Sequence, residues 1–148
     1  METGDVEILQ AVSAHDVGRV LNPQTLLGQV CGGFAQGVGY ALYEEVRTQD
    51  GRILNPSFTD YKIPTAGDLD FPIDVVFVET AEAAGPFGAK GVGEIGLVPT
   101  AGAVAGALAA HDGVRRTVLP MKDSPAARAM SVGKIPKRKL RVAGAAAP

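Results

Sequence analysis

The sequence predicts an α+β fold: a mixed sheet, a long glycine-rich helix and a second helix rich in alanine and glycine. Three observations carry this. From Gln24 to about Val46, Leu26, Leu27, Val30, Phe34, Val38, Ala41, Leu42 and Val46 recur at three- and four-residue steps, the period of a helix with one apolar face. Ile73 to Thr80 reads Ile-Asp-Val-Val-Phe-Val-Glu-Thr, β-branched and aromatic in the manner of a strand. The segment from Gly96 to Ala110 is apolar and built of small residues, as in a helix that packs closely.

The 148 residues, 46% of them hydrophobic, make one domain's worth of chain. We divide it into residues 1–122, which hold the predicted elements, and a basic, Ala-rich extended tail over 123–148 that includes Lys137-Arg138-Lys139. The tail reads first as solvated chain, and second as an arm over an acidic partner. A net charge of −2 offers no general attraction for nucleic acid or anionic lipid. Five Phe, three Tyr and no Trp leave little for a base-stacking surface. Cys31 is the only cysteine, which excludes an internal disulfide and any multi-cysteine metal centre within this chain. It fits a cytoplasmic location. No run of ~18 apolar residues is present to span a membrane, and the acidic start, Met-Glu-Thr-Gly-Asp, is unlike a secretory signal.

Taken in order, Asp5 to Val12 alternates as a strand. It opens just after a turn-like Thr3-Gly4 with no strand before it, so we expect another polypeptide to pair with its free edge. His15-Asp16-Val17-Gly18-Arg19 follows, and the adjacent His and Asp read as a pair that orders a loop. Asn22-Pro23 starts the long helix, with Pro in its first turn. Glycines at 28, 32, 33, 37 and 39 interrupt this helix. Each costs ~1 kcal/mol against Ala, so they call for close packing or a ligand. Gln29, Gly33 and Gln36 lie at i, i+4 and i+7 and share one narrow face. Two amides flanking a position without a side chain suit a ligand that needs both donors and acceptors, or equally a helix contact in which the amides bond to backbone. Cys31 lies off this face and reads as a small core residue. A hairpin is expected over Arg47–Ile53 around Gln49-Asp50-Gly51, irregular chain over Asn55–Ile63, the second helix from Ile95 or Leu97 to His111, and a short last strand over Thr117–Leu119.

The stretch on which function turns is Pro86-Phe87-Gly88-Ala89-Lys90-Gly91-Val92-Gly93-Glu94. Three glycines within six residues ahead of a single acid let backbone approach a bulky body and present a carboxylate to it. Glu94 could instead favour a helix N-terminus, an effect of ~0.3–1 kcal/mol. In a closed pocket the same carboxylate would act as a general base. Gly91-Val92-Gly93-Glu94-Ile95-Gly96 also fits the dinucleotide fingerprint Gly-x-Gly-x-x-Gly. That motif needs a strand running straight into the glycines, and the predicted strand ends near Thr80, about 10 residues too early.

Gly-Ala-Lys-Gly-Val-Gly-Glu, together with Gly28-Gln29-Val30 and Gly32-Gly33-Phe34-Ala35-Gln36-Gly37-Val38-Gly39 upstream, resembles the C-terminal part of the molybdenum-binding subunit of the xanthine dehydrogenase/aldehyde oxidase family. The resemblance runs from about Val6 to about Pro120 and takes in Tyr61-Lys62-Ile63-Pro64. It implies that Glu94 is the catalytic base, which deprotonates a metal-bound hydroxide so that its oxygen attacks an electron-poor carbon of an aldehyde or N-heterocycle. It also implies cofactor-binding roles for Gln29, Gly33, Gln36, Lys90, Gly91 and Gly93. Molybdenum would be held by a pterin dithiolene, in a mononucleotide or cytosine dinucleotide form, so no protein side chain is expected to ligate metal.

The same resemblance implies partners: a larger molybdopterin-binding chain, an iron–sulfur chain with [2Fe–2S] clusters, and a flavin chain with FAD. This chain would complete the larger chain's molybdopterin-binding domain and act on a small-molecule substrate. Ile95-Gly96-Leu97 differs from the Pro-Pro often found after the base in purine-oxidising members, which slightly weakens the case for a purine, while the expected substrate stays an aldehyde or a purine-like N-heterocycle. Two other readings stand beside this one. A non-catalytic subunit that completes a partner's sheet would tolerate loss of the Glu94 charge, and a free nucleotide-binding module would bind a dinucleotide as a monomer.

Overall fold

The computed structural model describes residues 6–121. All its elements lie in one unit, Glu7–Met121, and the tail expected over 123–148 lies outside the described residues. In chain order the elements are strand β1 (Ala11–Asp16), helix α1 (Pro23–Leu42), strands β2 (Thr48–Gln49) and β3 (Arg52–Ile53), and strand β4 (Ile73–Val78). Helix α2 (Thr100–Asp112) completes them. Single 3-10 turns lie at Ala66–Leu69 and Pro86–Gly88.

Helix α1 is where local chemistry is plainest. The Asn22 side chain accepts a hydrogen bond from the Thr25 amide at 3.0 Å, and Pro23 sits where its missing N–H costs nothing. The helix ends at Leu42, four residues short of the expected Val46, which is exposed. Its apolar stripe is the core of the unit: Val30, Phe34, Val38, Ala41 and Leu42 are buried, with Val17 and Met121 against them. Burying each aliphatic side chain of this kind favours folding by ~1.5–3 kcal/mol. Phe34 meets Phe71 edge to face, centroids 6.1 Å apart.

The glycines of α1 divide into two groups. A Cβ at Gly28 or Gly32 would meet nothing within 4 Å, whereas one at Gly37 would fall 2.5 Å from the Thr100 Cβ. Gly37 therefore lets α1 press against the first turn of α2, where Thr100 is 2% exposed and donates to the Gly96 carbonyl at 2.8 Å. This second helix begins at Thr100 rather than at Ile95 or Leu97, because residues 95–99 form a turn first. Gly113, with φ 73°, closes it.

The expected mixed sheet is realised as two separate two-stranded sheets, one parallel (β1–β4) and one antiparallel (β2–β3). The hairpin forms as expected: Asp50 and Gly51 take φ of 49° and 75°, the pairing of signs a two-residue hairpin turn needs. The first strand lies further along than expected, over Ala11–Asp16 instead of Asp5–Val12, because its partner β4 sets the register, from Ala11 opposite Ile73 to Asp16 opposite Val78. Thr117–Leu119 makes no strand. Parallel strands are usually covered on both faces. Here Ser13, His15, Ile73, Val75 and Phe77 turn inward, while Val12 (67% exposed), Val76 (48%) and Val78 (46%) leave an apolar outer face open. The outer edges of β1 and β4 have no strand partner among the described residues.

Candidate functional site

The glycine-rich loop is held by the residues that follow β1. Lys90 donates its amide to the Val17 carbonyl at 3.0 Å and Arg19 donates to the Gly88 carbonyl at 2.8 Å, so Val17–Arg19 and Gly88–Lys90 run antiparallel around the Gly18–Ala89 bridge. Gly18 has φ 62°, and a Cβ there would stand 2.5 Å from the Gly88 carbonyl oxygen. Only glycine fits.

Asp16 sits at the end of β1 and gathers three donors. It accepts from the Lys90 Nζ at 2.6 Å, the Gly18 amide at 3.1 Å and the Thr80 amide at 3.3 Å. The Lys90 ammonium first, then the Gly18 amide, hold its carboxyl down to about 2. The neighbouring His15 takes no part in the loop; its ring bonds the Ser13 hydroxyl at 2.7 Å.

Downstream, Gln29 reaches from α1 to donate its Nε2 to the Gly93 carbonyl at 2.6 Å. One turn further along the same helix face, Gly33 lies against the backbone of Gly96 and Leu97, where a Cβ would come within 3.1 Å of the Leu97 nitrogen. The Tyr40 hydroxyl bonds the Leu97 carbonyl at 3.2 Å. Thus the face predicted to carry Gln29, Gly33 and Gln36 runs along residues 93–100, and the first two of those residues meet protein backbone there. Gln36 is exposed. Cys31, expected in the core, is half-buried.

Glu94 follows directly on the carbonyl that Gln29 holds. Its own carbonyl accepts from the Leu97 and Val98 amides at 2.9 and 3.3 Å, which makes it the first residue of the turn before α2. It stands six residues ahead of Thr100 and so outside that helix's first turn, which removes the helix-dipole explanation for an acid here. The residue is exposed. Gly91 and Gly93 face open space, since a Cβ at either would meet nothing within 4 Å. The dinucleotide fingerprint fails on geometry: β4 ends at Val78, and the glycines lead into a turn instead of a helix.

Beside the loop lies an open groove of about 260 Å³, lined by Arg19, Asn22, Thr25, Gln29, Lys90 and Val92 among others. Its walls are two amides, a hydroxyl and two cations set among apolar side chains, Val17, Leu21, Leu26, Ala89 and Val92; Glu94 is not among the lining residues. Among the described residues no three His, Cys, Asp or Glu side chains converge to hold a metal ion, and no helix is long and apolar enough to cross a membrane. The donor set fits a flat, polar organic cofactor that carries its own metal, and it fits it as one wall only.

Residues 1–70 match the family model of a molybdopterin cofactor-binding domain. That defines the class. Over 124 residues the chain is 41% identical to the 6-hydroxypseudooxynicotine dehydrogenase complex subunit gamma of Paenarthrobacter nicotinovorans, covering 81% of this chain and 16% of that protein. It is 38% identical to a putative xanthine dehydrogenase molybdenum-binding subunit of Escherichia coli over 118 residues, with 78% and 16% covered. It is 34% identical to the aldehyde oxidoreductase molybdenum-binding subunit of the same organism over 115 residues, with 76% and 16% covered. Among solved structures, quinoline 2-oxidoreductase from Pseudomonas putida 86 superposes with a TM-score of 0.69 at 34% identity, covering 84% of this chain and 16% of that one. The chain belongs to the xanthine dehydrogenase/aldehyde oxidase family of molybdenum-binding subunits, an oxidoreductase family, and spans about 16% of the length of the relatives it matches.

Proposed function

We propose that the chain supplies the catalytic glutamate and one wall of the molybdopterin pocket in a multi-subunit molybdenum hydroxylase acting on an aldehyde or N-heterocycle. The observation that carries this is the hydrogen bond from Gln29, a residue that lines the groove, to the Gly93 carbonyl, which pins the backbone one residue before an exposed carboxylate. When bound, the molybdenum cofactor supplies the two-electron oxidation, with water as the source of oxygen.

This chain's own residues do simpler things. Glu94 takes up a proton at its carboxylate as the oxygen is transferred, and Gln29, Gly91 and Gly93 shape the surface the cofactor lies on. Glu94 needs a neighbouring chain or segment to enclose it, because exclusion of water is what makes a carboxylate an effective base. Lys90 contributes through its backbone and its ion pair with Asp16.

The open valine face of the β1–β4 sheet and its two edges, without a strand partner among the described residues, fit burial against the rest of a molybdopterin-binding domain, in a larger chain. Iron–sulfur and flavin chains would carry the electrons away, and the pterin would be bound as a mononucleotide or a cytosine dinucleotide. We place the complex in the cytoplasm, which a chain with one cysteine fits. The same apolar face favours a second reading, in which the chain completes a partner's fold without taking part in chemistry.

The test is to express the chain with the products of its neighbouring genes, isolate it by a tag and assay molybdenum and iron. Both metals arriving with larger chains support the proposal, and a metal-free monomer that melts cooperatively overturns it. Within such a complex, Gln29→Ala deletes one hydrogen bond, ordinarily about 0.5–1.5 kcal/mol. It is expected to lower kcat by up to about tenfold, a conversion in which 1.4 kcal/mol is a factor of ten. Steady-state turnover at matched molybdenum content measures it.

A further inference from the structure

We infer that Asp16 is a positioning residue of this site: through Lys90 and the Gly18 and Thr80 amides it locks the glycine-rich loop in the register that presents Glu94. The inference rests on Glu94 being the base, and its structural half stands apart from that reading.

Four observations carry it. Asp16 is the acidic side chain that gathers donors from β1, β4 and the loop together, while among the described residues Glu79, just past β4, accepts only from the Val20 amide at 2.9 Å. Asp16 takes one donor from each of the three: Gly18 just past β1 at 3.1 Å, Thr80 just past β4 at 3.3 Å, and Lys90 of the loop at 2.6 Å. The Lys90 backbone is fixed at the same place, since its amide is bonded to the Val17 carbonyl. Gly18 has no side chain to hold these strands apart, so the two backbones touch. The loop from Lys90 to Gly93 is then anchored at only two described points, the Asp16–Lys90 junction at its start and the Gln29 bond at Gly93. Glu94 comes immediately after the second.

An ion pair at a half-exposed site is ordinarily weak. This one differs in purpose, since one carboxylate also satisfies two backbone amides and so couples the end of β1 to segments 64 and 74 residues further on. A small displacement at its end of the loop is carried to Glu94, because two of the three residues between, Gly91 and Gly93, have no side chain to pack and absorb it. Misplacement of a reacting group by about 1 Å can cost about a hundredfold in rate.

The test uses the assembled complex and the variants Asp16→Asn, Lys90→Met and the double variant, with Glu94→Gln as reference. Asp16→Asn is expected to lower kcat by about 10- to 100-fold, with KM and molybdenum content unchanged. Amide hydrogen exchange at residues 88–94 should rise by about tenfold or more. Lys90→Met should raise the same exchange, and the double variant should be no slower in turnover than the worse single, since both remove one junction. Unchanged exchange at 88–94 in Asp16→Asn, or losses that simply multiply in the double variant, would overturn the inference. If Asp16→Asn prevents assembly, Lys90→Met decides by the same exchange measurement. If Glu94→Gln keeps full turnover, the base assignment fails, and exchange at 88–94 still decides whether Asp16 holds the loop.

Discussion

Glu94→Gln in the assembled complex is expected to lower kcat by about 10²–10⁴-fold, the range that a positioned general base contributes, while molybdenum content and KM stay near those of the parent. The substitution keeps shape and hydrogen-bonding capacity but cannot accept a proton. The fold should not notice the change. Glu94 is exposed, and the bonds of its turn run through its carbonyl to the Leu97 and Val98 amides. A loss of turnover can therefore be read as lost chemistry. Single-turnover reduction of the complex by substrate, followed optically, isolates the step. If the rate is unchanged within about twofold while the complex still forms, the chain is a structural element, and the valine face of its sheet is its main business. The two readings of the protein separate on this one residue.

Much of the fold was legible because its signals are local. Asn22-Pro23 followed by apolar residues at helical spacing marks the start of α1, and Asp50-Gly51 marks the hairpin turn. Each depends on contacts within a few residues. What the sequence hid is set at a distance. The extent of β1 is decided by pairing with β4, which begins far along the chain at Ile73, so alternation alone placed it too early. Gly96 and Pro99 allow a turn over residues 95–99, but that the turn is required appears only when Gly96 is seen pressed on Val30.

The site shows the same division. The glycines and Glu94 stand out as a cluster, and the shared face of Gln29 and Gly33 follows from spacing. That this face runs along the 93–97 backbone does not follow from spacing, and neither does the role of Asp16, whose partner Lys90 lies 74 residues on. The sequence offered Asp16 only as half of a His-Asp pair that orders a loop, and of that pair Asp16 alone holds the loop. The third donor, Thr80, had no signal at all.

Gly96→Ala is expected to be a damaging single-methyl change, because it strikes fold and site together. A Cβ at Gly96 would stand 2.6 Å from the Val30 carbonyl oxygen and 3.2 Å from the Val30 Cα. Val30 is fully buried in the middle of α1, so neither backbone can step aside without disturbing the core. Overpacking of this kind costs typically about 1–3 kcal/mol. Each kcal/mol moves the melting point of a domain by about 2–4 °C or somewhat more, which thermal denaturation of the purified complex would register. The turn that must shift begins at Glu94, and Gln29, one residue before Val30 on α1, holds the Gly93 carbonyl. We therefore expect kcat to fall with stability, by about tenfold or more through misalignment of the carboxylate. Gly32→Ala is the matched control: a Cβ there meets nothing within 4 Å, and alanine is the better helix former by about 1 kcal/mol, so it should leave turnover alone and raise the melting point slightly. A Gly96→Ala complex as stable as its parent would mean that α1 and the Glu94 turn are not packed as closely as the structure has them.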